Sequence, residues 1–183
     1  MRIEYKILLT AGLLANLGDN LIGPFYAIWV RKITEDPLII GNSIAFYSLL
    51  AGILIIVFGK LADKYNKELL AMLGYLLSFI GTILYLIITQ PWHLYAQQVL
   101  FAFSAIMLAG PLKALFSEFI NKEKAGFQWA LGDAGNKIII AFAIFSGSLV
   151  VKLFGFTNLF IIMALLQLVA VILQFDLYRR SWN

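Results

Sequence analysis

Cysteine is absent from the sequence, histidine occurs once, and Asp, Glu, Lys and Arg together make up only 13% of it. Without cysteine, no redox compartment can be read. The single histidine, His93, has no companion set of metal ligands, and no Gly-x-Ser-x-Gly nucleophile site occurs. Intramembrane enzyme chemistry therefore finds no support. No Gly-x-x-x-x-Gly-Lys-Ser/Thr loop is present, which removes an ATPase. No metal and no cofactor is implied. The shortage of charge excludes a water-soluble domain, in which about 25% of residues are ordinarily charged.

What fills the sequence instead is apolar, at 62% of its residues. Six runs reach the roughly 20 residues that a membrane-spanning helix needs: Ile7–Arg31, Leu38–Phe58, Leu69–Thr89, Trp92–Phe116, Ala125–Val151 and Gly155–Tyr178. They are continuously apolar rather than alternating, which predicts helices and not a β-barrel. The expected fold is all-α, a polytopic membrane protein of six transmembrane helices in a single domain over residues 1–183. The first run is too long for a signal-peptide core and reads as a retained helix.

The few charges sort by membrane side. Arg2, Lys6, Lys60, Lys64, Lys67, Lys113, Lys122, Lys124, Arg179 and Arg180 fall on one side, and only Arg31, Lys32 and Lys152 on the other. This bias predicts an integral protein of the cell (plasma) membrane with both termini cytoplasmic. It also accounts for the net charge of +4 without nucleic acid as a partner. Trp92, Tyr95 and Trp182 read as interfacial anchors, and Phe25, Tyr26 and Trp29 lead out of the first run toward the external face. His93 reads as a headgroup contact at the membrane edge.

One charged insert organises the first half: Gly59-Lys60-Leu61-Ala62-Asp63-Lys64-Tyr65-Asn66-Lys67-Glu68, between the second and third runs. Gly59 lets the chain approach a neighbouring helix closely. Asp63 is placed to cap the next helix, and Asn66 tolerates a left-handed turn. The decapeptide resembles the signature loop of the major facilitator superfamily, Gly-x-Leu-Ala-Asp-Arg/Lys-x-Gly-Arg/Lys-Arg/Lys, which joins the second and third helices of those transporters. Gly59, Leu61, Ala62, Asp63, Lys64 and Lys67 match, whereas Asn66 stands in place of a glycine and Glu68 in place of a basic residue.

By this resemblance the chain is similar to the N-terminal six-helix half of a family that usually has twelve helices and about twice this length. The likeness implies a 3+3 inverted repeat within the six helices. It also implies an inner gate made by the signature loop, with Gly59, Asp63, Lys64 and Lys67 working against Lys113. The segment from Lys113 to Lys124, with Glu118, Asn121 and Glu123, resembles the family's loop between helices four and five. Where many members bury an arginine in helix four, this sequence has Gln97 and Gln98. The antiporter pattern Gly-x-x-x-x-Gly-Pro is absent from the fifth run. Self-comparison supports the repeat: Leu21 to Trp29 aligns with Leu108 to Phe116 at an offset of 87, with Leu, Gly, Pro and Ala identical.

Polar residues inside the runs mark a candidate pathway. Asn16, Asp19, Asn20 and Gly23 share one helical face of the first run, and Gly23-Pro24 predicts a kink. A charge at the depth of Asp19 costs roughly 2.5–3.5 kcal/mol on insertion scales, so it must face a partner or a wet cavity. Asp133, Asn136 and Lys137 repeat the pattern in the fifth run, and an Asp19–Lys137 pair is geometrically allowed. The third run, with Gly74, Ser78 and Gly81, and the sixth, with Gln167 and Gln174, read as outer supports.

The expected function is secondary active transport of a small-molecule substrate by alternating access. The cavity would lie between two six-helix halves, either as a parallel homodimer or with a different second half. Its substrate or proton pathway would be Asn16, Asp19, Asn20, Tyr26, Gln97, Gln98, Asp133, Asn136 and Lys137. The other class that fits is a non-transporting membrane scaffold or accessory subunit, in which buried charges only specify packing. Membrane lipid is a partner in either case.

Overall fold

The computed structural model describes residues 3–181, without the side chains of Leu61 and Ala62; Arg2 and Trp182 lie outside the described residues. Every regular element among them is helical: α1 (Ile3–Leu21), α2 (Tyr26–Val30), α3 (Pro37–Phe58), α4 (Leu61–Lys64), α5 (Lys67–Leu84), α6 (Pro91–Phe119) and α7 (Ala125–Arg180). Four helical stretches, Pro37–Phe58, Lys67–Leu84, Pro91–Phe119 and Lys122–Arg180, are long and apolar enough to cross a membrane.

The first run breaks where its sequence predicts. Pro24 has no N–H to offer the Asn20 carbonyl four residues back. The N–H groups of Phe25 and Tyr26 both turn to the Ile22 carbonyl, at 2.7 and 3.1 Å, in a short 3-10 turn. Beyond it, Trp29 is packed inside the protein. It is buried against Tyr85 and Phe160, with ring centroids 5.0 and 5.3 Å away. Tyr26 is buried as well, its hydroxyl 3.1 Å from Ser43 Oγ.

The signature loop folds differently from its sequence expectation. Asn66, not Asp63, caps α5: its side chain accepts from the Leu69 N–H at 2.7 Å, and its backbone is extended (φ −60°, ψ 122°) rather than left-handed. Asp63 falls one turn too early and lies inside α4. Gly59 ends α3, and a Cβ there would meet the Ile55 carbonyl of its own helix rather than a neighbour. The third run also ends early. Helix α5 stops at Leu84 and not at Thr89, because Tyr85, Leu86 and Ile87 close tight turns back to Thr82, Ile83 and Leu84. Their hydropathy misleads: Tyr85 and Ile88 are buried beside Trp29 without being helical. His93, partly exposed, accepts from the Thr89 and Gln90 N–H groups through Nδ1, at 3.2 and 3.3 Å, fixing the start of α6.

Between the fifth and sixth runs the expected loop shrinks to one residue. Helix α7 is two arms joined at Gly155, whose φ of 79° and ψ of 178° belong to a region only glycine enters readily. Gly155→Ala is therefore expected to cost about 1–3 kcal/mol. Gly52→Ala, in open space on a helix, is expected to be neutral or mildly stabilising. Thermal unfolding of the two variants in lipid-detergent micelles checks the contrast.

Helix α1 lies between the two arms of α7. On the first arm Gly132 and Gly135 admit Leu9 and Leu13 of α1; on the second, Gly18 of α1 sits against the Met163 carbonyl. Helix α5 packs on α6 in the same close manner, with Gly74 under Leu108 and Gly81 under Phe101. Helix α3 is the least enclosed, with only Ser43 and Ala51 of its 22 residues buried.

Candidate functional site

The polar residues of α1 meet both arms of α7 at one level. Asn16 Nδ2 donates to Asn136 Oδ1 of the first arm at 3.0 Å, and Asn20 Nδ2 donates to the Asn16 carbonyl and Oδ1 at 2.8 and 2.6 Å. Asp19 faces the other way. Its Oδ1 accepts from Gln167 Nε2 of the second arm at 2.6 Å and from Ser78 Oγ of α5 at 3.5 Å.

The Asp19–Lys137 pair does not form. Among the described residues the ion pairs are Lys67–Glu118 and Arg180–Asp176. Close packing of Gly18 against the second arm turns Asp19 to Gln167, and Lys137 is left exposed on the first arm. The two runs that read as outer supports thus supply the groups that hold the Asp19 carboxylate. Sequence reasoning missed this, although Ser78 and Thr82, and Gln167 and Gln174, mark polar stripes at i, i+4 and i, i+7 in otherwise apolar helices.

Two cavities flank this carboxylate. One, of about 360 Å³, lies toward the signature-loop end, and its wall includes Asn16, Asp19, Tyr75, Lys113, Asp133 and Asn136. The other, of about 280 Å³, lies toward the opposite end, with Asp19, Tyr47, Ser78, Thr82, Tyr85 and Gln98 in its wall. Asp19 and Leu108 line both. Of the remaining expected pathway residues, Gln98 donates to the Tyr26 hydroxyl at 3.4 Å, so these two are brought together. Gln97 is taken up in packing: it is fully buried and donates to the Gly81 carbonyl at 2.7 Å.

The expected gate residues are split. Asp63 and Lys64 are exposed in α4, whereas Lys113 lies inside α6, on the wall of the first cavity. Lys67 contacts Glu118 near the end of α6, which ties the signature loop to the following inner segment within one chain. Such a partly exposed pair contributes about 0–1 kcal/mol, enough to set the loop's resting position but not to lock it. No group of three metal-ligating side chains occurs among the described residues.

Comparison with known proteins gives this arrangement a family. The family profile for the Major Facilitator Superfamily matches residues 8–181. An uncharacterized transporter of Buchnera aphidicola is 32% identical over 138 residues, which is 75% of this chain and 35% of that protein. The quinolone resistance protein NorB of Staphylococcus aureus is 27% identical over 134 residues, 72% of this chain and 28% of that protein. The chain thus spans about a third of the length of the curated relatives it matches. With apolar helices long enough to cross a bilayer and a profile match along nearly its whole length, the chain belongs to the major facilitator superfamily, integral membrane proteins of transport rather than enzymes.

Proposed function

We propose that the chain is one six-helix half of a secondary active transporter, and that its solute pathway runs between this half and a second one. In this reading α1 with α2, α3, α5, α6 and the two arms of α7 are six spans in a 3+3 inverted repeat. The signature-loop end is cytoplasmic in the plasma membrane, and the second half is a parallel second copy or a different six-helix partner. Alternating access is then rocking of the halves about Asn16, Asp19 and Asn20. The cargo is a small solute, for which the name of the staphylococcal relative suggests a quinolone as a first probe.

The observation that carries this reading is the polar face of the first arm of α7. Asp133, Asn136 and Lys137 are exposed, and neither Asp133 nor Lys137 has an ion-pair partner among the described residues. They lie about 12–18 Å along an apolar arm from its start at Ala125, near the middle of a bilayer core of about 30 Å. Lipid cannot cover two unpaired charges there without a cost of several kcal/mol, whereas a water-filled cleft closed by a second half can. On either side of them Phe127, Phe142 and Phe145 are 68%, 58% and 64% exposed, as is Leu49 of α3 at 66%, an apolar rim suited to the same partner.

The test is native mass in lipid together with cross-linking from single cysteines at Leu49→Cys and Phe142→Cys, which the cysteine-free chain makes unambiguous. A complex of two halves linked through these positions, with Lys137→Cys open to a water-soluble thiol reagent, is the expected result. A monomer in which Lys137→Cys is shielded from that reagent overturns the reading and leaves a membrane scaffold.

A further inference from the structure

Two hydrogen-bond donors approach Asp19, and both end on the same oxygen. Gln167 Nε2 and Ser78 Oγ converge on Oδ1, whereas Oδ2 accepts from no described residue. The Gln167 amide is itself fixed. Its side chain is fully buried, and its nitrogen is shared between Asp19 Oδ1 and the Ala15 carbonyl 3.2 Å away. Turning the amide over would set its oxygen against two acceptors, so only one orientation satisfies the contacts. This orientation is held although Gln167 Oε1 is left buried without a partner, an arrangement disfavoured unless the nitrogen's bonds matter more.

We propose that Gln167 and Ser78 are positioning residues that pin Oδ1 of Asp19 and leave Oδ2 as the atom that takes and releases a proton between the two cavities. The inference rests on reading Asp19 as part of the proton pathway. A proton arriving at Oδ2 breaks neither contact, because Oδ1 of the neutral acid is still an acceptor. In the transfer one O–H bond forms at Oδ2, one breaks in a hydronium ion of the cavity, and the carboxylate charge is cancelled. The site can therefore load and unload while its contacts to α5 and to the second arm of α7 persist. Donors to a carboxylate also favour its charged form, so the same two residues ease release of the proton.

Other titratable groups face Asp19 from the packed elements: Tyr47 from α3, Tyr75 from α5, Tyr85 from the turn that follows it, Lys113 from α6 and Asp133 from the first arm of α7. None of them hydrogen-bonds to Asp19, and the Tyr75 hydroxyl, in the wall of the first cavity, has no hydrogen-bond partner among the described residues. The assignment of the two oxygens is thus the work of Gln167 and Ser78.

The test is the pH dependence of Asp19 labelling by dicyclohexylcarbodiimide, which modifies protonated carboxyl groups in apolar surroundings. Labelling of the full chain in phospholipid vesicles is read by mass spectrometry of the peptide that carries Asp19. In Gln167→Met, which keeps the volume without the donor, the labelling midpoint is expected to move up by about one pH unit. Ser78→Ala is expected to move it the same way by less, and it preserves the test should Gln167→Met fold poorly. Gln174→Met alters a buried glutamine two turns along the same arm, whose nitrogen meets the Glu68 carbonyl at 3.4 Å, and is expected to leave the midpoint in place. An unmoved midpoint in both Gln167→Met and Ser78→Ala overturns the positioning role while keeping Asp19 as a proton site. A wild-type protein whose Asp19 is unlabelled at every pH overturns the reading of Asp19 itself, and this proposal with it.

Discussion

Asp19→Asn is expected to yield a protein that is at least as stable as the wild type and does not transport. In its charged form the carboxylate sits inside α1 at a depth where insertion scales assign a cost of about 2.5–3.5 kcal/mol. The Gln167 bond returns about 1.5–3 kcal/mol of that cost, and the Ser78 contact, at 3.5 Å, adds little. Asparagine keeps an oxygen for both donors, and its amide nitrogen takes the place of the oxygen that has no partner. Removing the charge is thus expected to stabilise the fold by about 1 kcal/mol, a modest rise in thermal midpoint. Quinolone flux into vesicles under an imposed pH gradient, measured on the assembled halves, is expected to fall to the leak of empty vesicles. Loss of about 2 kcal/mol of stability would make Asp19 a structural keystone instead. A stable variant that still moves the probe would remove it from the pathway.

That one side chain shows what the sequence reveals and what it hides. A carboxylate near the middle of an apolar run announces itself, because its insertion cost must be offset somewhere. The choice of partner does not announce itself. Lys137 and Gln167 both lie at a suitable depth, and helical periodicity cannot say which neighbour reaches Asp19. The decision is made by backbone approach: Gly18 lets the second arm of α7 close on α1 near the Met163 carbonyl, and Gln167 arrives with it. The Asn16–Asn136 contact joins two polar faces that the sequence marks, although the pairing itself was not read from it. Long helices were legible from hydropathy alone, and the break at Pro24 from its missing N–H. The end of α5 was not, because Tyr85 and Ile88 are apolar for the sake of the Trp29 cluster and not of a helix. The capping of α5 by Asn66 also escaped, for Asp63 and Asn66 are both good caps and only the path of the turn selects between them.

The second large effect is expected at Gly147, where α1 and the first arm of α7 cross. The kink at Gly23 and Pro24 leaves the Leu21 carbonyl without its regular helical donor, since the Phe25 N–H turns to Ile22. That carbonyl meets Gly147 so closely that a Cβ there would overlap its oxygen and stand 3.3 Å from the Leu21 Cα. The obstacle is backbone at both points, so no side-chain rotation relieves it. Gly147→Ala must drive the helices apart, and overpacking of this kind costs about 1–3 kcal/mol or more. At Gly74 and Gly81 the neighbours are the side chains of Leu108 and Phe101, which can yield, so alanine there is expected to cost less. Gly126→Ala, in open space, is expected to be neutral or better. Thermal unfolding of the four variants in micelles gives the order directly. Because Leu21 is two residues beyond Asp19, moving this crossing also moves the carboxylate relative to Gln167 on the second arm. Gly147→Ala should therefore shift the carbodiimide labelling midpoint of Asp19, although it touches neither residue. If Gly147→Ala is as stable as Gly126→Ala, the crossing is not the close contact that sets α1 in place, and the coupling to Asp19 falls with it.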